Sequence, residues 1–171
     1  MGEIELYEQG LEEYPRSSII VGNLAMAVWI ALGMIGCWFL SPLGAWIFLA
    51  FAVIMVGVVL RKLVCTNCCY YGKWCGIGWG KFSALMFSKG DEEKFSTSLG
   101  LKLAPITYGI LTVVPVVFLV ISMFDTTWLL VPKIVVLVLL LAVSFYSGTF
   151  GRKKGCSNCK MRLACPGSAV K

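Results

Sequence analysis

From Ser17 to Leu60 the chain runs 44 residues without a charged side chain. The hydrocarbon core of a bilayer takes roughly 20 residues of helix per crossing, so this run predicts two spans. The break falls at Ser41-Pro42-Leu43-Gly44. Proline lacks an amide donor but suits a first helical turn, which places the helices over residues 18–40 and 44–60. Further uncharged runs lie between Lys102 and Asp125 and between Lys133 and Arg152. They predict a third helix over residues 103–124 and a fourth over 128–150. Composition agrees, with 58% hydrophobic and 14% charged residues, where a soluble domain carries about 25% charged. The expected fold is an all-α integral membrane protein of four transmembrane helices, whose partner is the lipid bilayer. Soluble, disordered and nucleic-acid-binding classes are excluded despite a net charge of +6.

Lysine and arginine are retained on the cytoplasmic side of membrane proteins. The segment from Arg61 to Lys102 carries seven of them and the tail from Arg152 six, whereas the opposite connections hold only Lys133. Both termini and the middle loop are expected in the cytoplasm of a multi-pass cell-membrane protein. Residues 1–17 form an acidic arm; five glutamates against Arg16 give it a charge of −4 and leave +10 on the remainder. No signal-peptide pattern opens the chain. The arm either lies on the basic face or is a frayed, solvated terminus, and the weakness of exposed charge pairs favours fraying.

An internal repeat ties these features together. Arg61-Lys62-Leu63-Val64-Cys65-Thr66-Asn67-Cys68 aligns with Arg152-Lys153-Lys154-Gly155-Cys156-Ser157-Asn158-Cys159 at an offset of 91, with five of eight positions identical. A third cysteine follows each block, Cys75 and Cys165. The chain therefore divides into hairpin 1 (18–60), a cysteine-rich loop (61–102), hairpin 2 (103–151) and a cysteine-rich tail (152–171). Copies that each cross twice share one orientation, related by an axis along the membrane normal. The repeat predicts a cytoplasmic cap in which both cysteine segments meet. A shared membrane-exit signal explains the Arg-Lys pairs, but not Cys-x-Asn-Cys twice.

The C-x2-C spacing lets two thiolates from one turn reach a single ion, and two such pairs complete a tetrahedral site. Cys65, Cys68, Cys156 and Cys159 form that set; Cys75 and Cys165 bring the candidate metal ligands to six. Asn67 and Asn158 suit a turn interior, since asparagine tolerates left-handed backbone. With no histidine in the chain, all-thiolate ligation points to zinc, an iron–sulfur cluster or copper(I). The leading expectation is a thiolate-ligated centre, iron–sulfur or zinc, in electron transfer between a cytosolic and a membrane redox partner. One alternative is a membrane thiol–disulfide oxidoreductase. Another is a non-enzymatic metal-binding or scaffold protein, with Cys37 and Cys69 as transfer ligands. If the orientation were reversed, structural disulfides would lead. Cys37, inside the first helix beside Gly33 and Gly36, otherwise reads as a packing residue. A homodimer is compatible with the sequence.

Around the first cysteine segment, Tyr70, Tyr71, Trp74 and Trp79 read as an interfacial aromatic belt rather than a shield for a centre. Gly76, Gly78 and Gly80 permit close turns, and Phe82, Leu85 and Met86 between Lys81 and Lys89 predict a short interfacial helix. Pro115 is expected to kink the third helix. Lys133 is placed to snorkel to the outer surface and pair with Asp125.

Overall fold

The computed structural model of the protein describes residues 5–124 and 130–170, all helix, turn or loop without a strand. Four helical stretches are long and apolar enough to cross a membrane: Arg16–Trp38, Pro42–Asn67, Leu99–Ser122 and Leu130–Ser157. Helix α1 spans Arg16–Trp38, two residues ahead of expectation, because Pro15 holds the extended conformation that precedes a first turn. In the second stretch, α2 (Pro42–Ile54) begins where Ser41 accepts a hydrogen bond from the Gly44 amide, an N-cap that satisfies a free donor. A π-helical turn over Met55–Val59 then leads into α3 (Leu60–Val64) and a 3-10 turn over Cys65–Asn67. Helix α4 covers Trp79–Met86.

Helix α5 (Leu99–Ser122) starts four residues earlier than the charge pattern predicts, because Ser98 caps the Gly100 amide. Lys102 therefore lies inside the helix. Pro115 is also inside it, fully buried, and Pro105 lies in its second turn, exposed. Helix α6 (Leu130–Tyr146) continues through a π-helical turn, Ser147–Gly151, into α7 (Arg152–Ser157). The predicted start of the fourth helix lies outside the described residues.

Helix α1 packs against α2, α5 and α6 and occupies the middle of the bundle. Its Gly36 faces Leu119, whose Cδ1 would lie 3.0 Å from a Cβ built there, and Pro115 lies on the same face. Bare backbone here lets α1 and α5 approach closely, as small residues do in membrane bundles. Cys37, Ala45, Ala52, Leu119 and Leu140 are wholly buried in this core. Trp29 donates its indole N–H to Ser144 at 2.9 Å, joining α1 to α6. The outer surface is apolar, with Leu43 and Val131 each 70% exposed, as lipid contact requires.

Lys133 does not snorkel. It is fully buried, and its ammonium donates to the Ser122 carbonyl at the end of α5. Ser122 is the last residue of that helix. The expected partner of Lys133, Asp125, lies outside the described residues.

Candidate functional site

The arm, the middle loop and the tail gather at one end of the bundle. Residues 65–68 close a short turn in which the Cys68 amide donates to the Cys65 carbonyl at 3.4 Å. The Cys159 amide donates to Cys156 in the same way, at 3.2 Å. After each turn the second cysteine is extended. Asn158 has φ −101°, and among the described residues only Gly72 and Gly78 have positive φ. The asparagines thus do not serve through left-handed backbone. Asn67 instead donates to the Leu63 carbonyl and accepts from the Asp91 amide at 3.0 Å, fastening the loop. The Asn158 carbonyl accepts from Leu11 of the arm.

All eight cysteines lie within the described residues as free thiols. Cys65 and Cys75 are electrostatic neighbours and both pack against the bundle core. The thiols of Cys68 and Cys69, adjacent in the chain, interact electrostatically. That interaction raises Cys68, aided by burial, and holds Cys69 below the ordinary thiol range. Cys159 is the link between segments, since it neighbours Cys69 of the loop and Cys156 and Cys165 of the tail. Burial pushes its thiol up to about 11 and raises Cys165 as well. The six predicted residues thus share one end of the molecule, joined through Cys159. Among the described residues, no three or more cysteine or acidic side chains converge where one ion would touch them all.

Of the four aromatic residues expected to form a belt, Tyr70 and Trp79 are buried, and Tyr71 and Trp74 are half-buried. Tyr70 is 3% exposed, and its hydroxyl donates to the Leu11 carbonyl at 2.6 Å while accepting from the Lys160 amide at 3.2 Å. Trp79 is buried, with Arg61 stacked on its ring at 4.4 Å and its N–H on Asn23 Oδ1. Asn23 also donates to the Ile77 carbonyl at 2.8 Å, so one polar residue of α1 holds the loop that follows Cys75. Gly80 permits the fold there: its carbonyl accepts from Gly72, and a Cβ would sit 2.0 Å from the Tyr70 carbonyl oxygen. The predicted interfacial helix is α4, whose Phe82, Leu85 and Met86 are exposed. Trp74 lies under the Lys81 ammonium at 4.8 Å.

The described part of the arm is not frayed. Tyr7 and Leu11 donate backbone bonds to Lys160 and Asn158, and Tyr14 to Trp74. Glu12 pairs with Lys160 and, at 3.2 Å, with Lys73, one lysine from each cysteine segment. The Lys160 hydrogen bond and then that of Lys73 hold the Glu12 carboxyl below its ordinary range. The exposed ion pairs are weak, as expected; backbone bonds and the buried Tyr14 seat the segment. Sequence reasoning weighed the charges and missed Tyr14 and Asn23, whose only signal was polarity beside an apolar run.

These features describe a multi-pass membrane class with a cysteine-rich end. The chain matches no family model, no curated protein and no solved structure.

Proposed function

We propose that this is a membrane protein built from two repeated helical hairpins, whose cytoplasmic cap holds a thiolate-ligated metal centre and passes electrons between cytosolic and membrane partners. The observation that carries the reading is the neighbourhood of Cys159 with Cys69 and Cys68, which brings together thiols from segments about ninety residues apart. The duplication is supported by the parallel course of both segments. Each follows a π-helical turn and a short basic helix, and each closes a Cys-to-Cys turn of the same hydrogen-bonding pattern. Cytoplasmic orientation is supported by the basic residues at that end. A reducing compartment then keeps the thiols available as ligands.

Six thiolates suit zinc or an iron–sulfur cluster. Cys65, Cys68 and Cys75 would supply one half, and Cys156, Cys159 and Cys165 the other. Arg61 and Arg152, beside the two sets, would offset their negative charge. Absorption spectra of protein purified without oxygen test the assignment. Visible charge-transfer bands that bleach on reduction support electron transfer, whereas a colourless protein with tightly held zinc leaves a structural cap.

A second reading, thiol–disulfide exchange, is favoured by the interacting Cys68–Cys69 pair. It requires metal-free protein that loses two hydrogens per cysteine pair on oxidation.

A further inference from the structure

Tyr14 ties the arm into the seam between the two cysteine segments. Its amide donates to the carbonyl of Trp74, the residue before Cys75, at 2.8 Å. Its hydroxyl donates to the carbonyl of Gly155, the residue before Cys156, also at 2.8 Å. The ring is buried, edge-on to Tyr70 at 5.8 Å between centroids, and lies against Gly76, where a Cβ would meet it at 3.4 Å. Its electrostatic neighbours are Cys159, Cys156 and Cys75, drawn from both segments.

Two thiolates bound to one zinc ion, each roughly 2.3 Å from it, lie within about 4 Å of one another. Tyr14, bonded at its amide to the residue before Cys75 and at its hydroxyl to the residue before Cys156, stands as a spacer between the two segments. This accounts for thiols that gather at one end without converging. We propose that the acidic arm gates the thiol site: seated, its Tyr14 side chain keeps the two cysteine segments from closing on one ion, and withdrawal of the arm lets them close. The inference rests on the thiolate-centre reading and adds its regulation.

The arm is built to leave. Beyond Tyr14, residues 7–12 are held by two backbone bonds to the tail, the Tyr70 hydroxyl, Arg162 of the tail stacked on the Tyr7 ring at 3.4 Å and the ion pairs of Glu12. Pro15 joins the arm to α1 in an extended conformation. Gly10 lies directly on Lys160, whose backbone N would be 2.7 Å from a Cβ. A side chain at position 10 therefore opposes seating while leaving Tyr14 and every cysteine intact.

The test uses the full chain, reduced and in detergent, as wild type, Gly10→Val and Tyr14→Ala. Maleimide labelling of Cys75, Cys156 and Cys159 is followed by peptide mass relative to Cys37, which is buried in the bundle and reports its integrity. Uptake of zinc ions is followed in parallel. Both variants are expected to label about tenfold faster than wild type, the factor that accompanies loss of about one net hydrogen bond, and to take up zinc faster. Unchanged labelling overturns the gate. Slower zinc uptake also overturns it, since the arm would then be a clasp that assembles the site. Faster labelling with no zinc or iron held by any form removes the metal-centre reading and overturns closure on an ion, leaving the arm only as a shield over the thiols.

Discussion

The Tyr14 hydroxyl donates to the Gly155 carbonyl at 2.8 Å across 141 residues of chain. This bond joins the arm that precedes the first span to the exit of the last, and so fixes how the two cysteine segments lie. A second joint runs parallel to it through Tyr70, whose hydroxyl links Leu11 to Lys160.

Replacement of Tyr70 by phenylalanine is expected to loosen that joint. The hydroxyl is buried with both of its bonds made, so its removal strands the Leu11 carbonyl and the Lys160 amide. Both partners belong to residues that water reaches, so the loss is about that of one net hydrogen bond, about 1 kcal/mol. Hydrogen exchange at the Lys160 amide should accelerate by a corresponding factor, while exchange within α1 stays unchanged. Equal rates at Lys160 would show that the hydroxyl holds nothing.

Acid should loosen the arm slightly, and only at low pH. Lys160 and Lys73 lower the Glu12 carboxyl in the folded state, so its contribution is fully present above the unfolded value and is lost as pH falls through the folded one. The unfolded value is 4.5. Protease cleavage within the arm is therefore expected to be flat from about pH 5 to pH 8 and to rise below about pH 4. Raised salt at neutral pH should have a small effect in the same direction, since exposed pairs are screened. A midpoint near neutrality would assign the seating to another group.

Thiol chemistry in metal-free protein should follow a definite order. Cys69 is held low by the Cys68 thiol, whereas burial pushes Cys159 up to about 11. Because the thiolate is the nucleophile, alkylation near pH 8 should mark Cys69 first and Cys159 late. Cys68→Ala removes that interaction and should slow the labelling of Cys69. Labelling of Cys159 ahead of Cys69 would contradict the described pairing.

In the bundle, Gly36→Leu should be disruptive. A Cβ at position 36 already meets Leu119 at 3.0 Å and Pro115 at 3.4 Å, so a larger side chain must separate α1 from α5. Overpacking of this kind costs about 1–3 kcal/mol. Stability in detergent should fall by that amount, and Cys37 on the same helix should become open to labelling.

The spans were legible because charge is costly in hydrocarbon, and 44 consecutive uncharged residues supply what two crossings require. Their ends were less so. Ser98 carries α5 four residues upstream past Lys102, and only cap geometry reveals it. Clustering of the six candidate cysteines at one end was legible from their spacing, an offset of 91 for two pairs and 90 for the third. The seating of the arm was not, because it depends on the bare backbone of Gly10 against Lys160 and on a phenol whose acceptor is 141 residues away. Charge counting weighed the glutamates, which contribute least. Lys133 misled in a related way: its position suggested a side chain reaching out to the surface, but it is buried against the Ser122 carbonyl at the end of α5.

The central claim is that thiols from both segments hold one kind of metal centre. Metal and acid-labile sulfide content per chain, measured on full-length protein purified without oxygen, tests it most directly. The account predicts zinc, or iron with sulfide, bound at a fixed ratio to the Gly10→Val chain, whose arm is unseated, and lost when Cys68 and Cys159 are replaced by alanine together. Gly10→Val protein free of metal, with all eight thiols titrating as such, would contradict it.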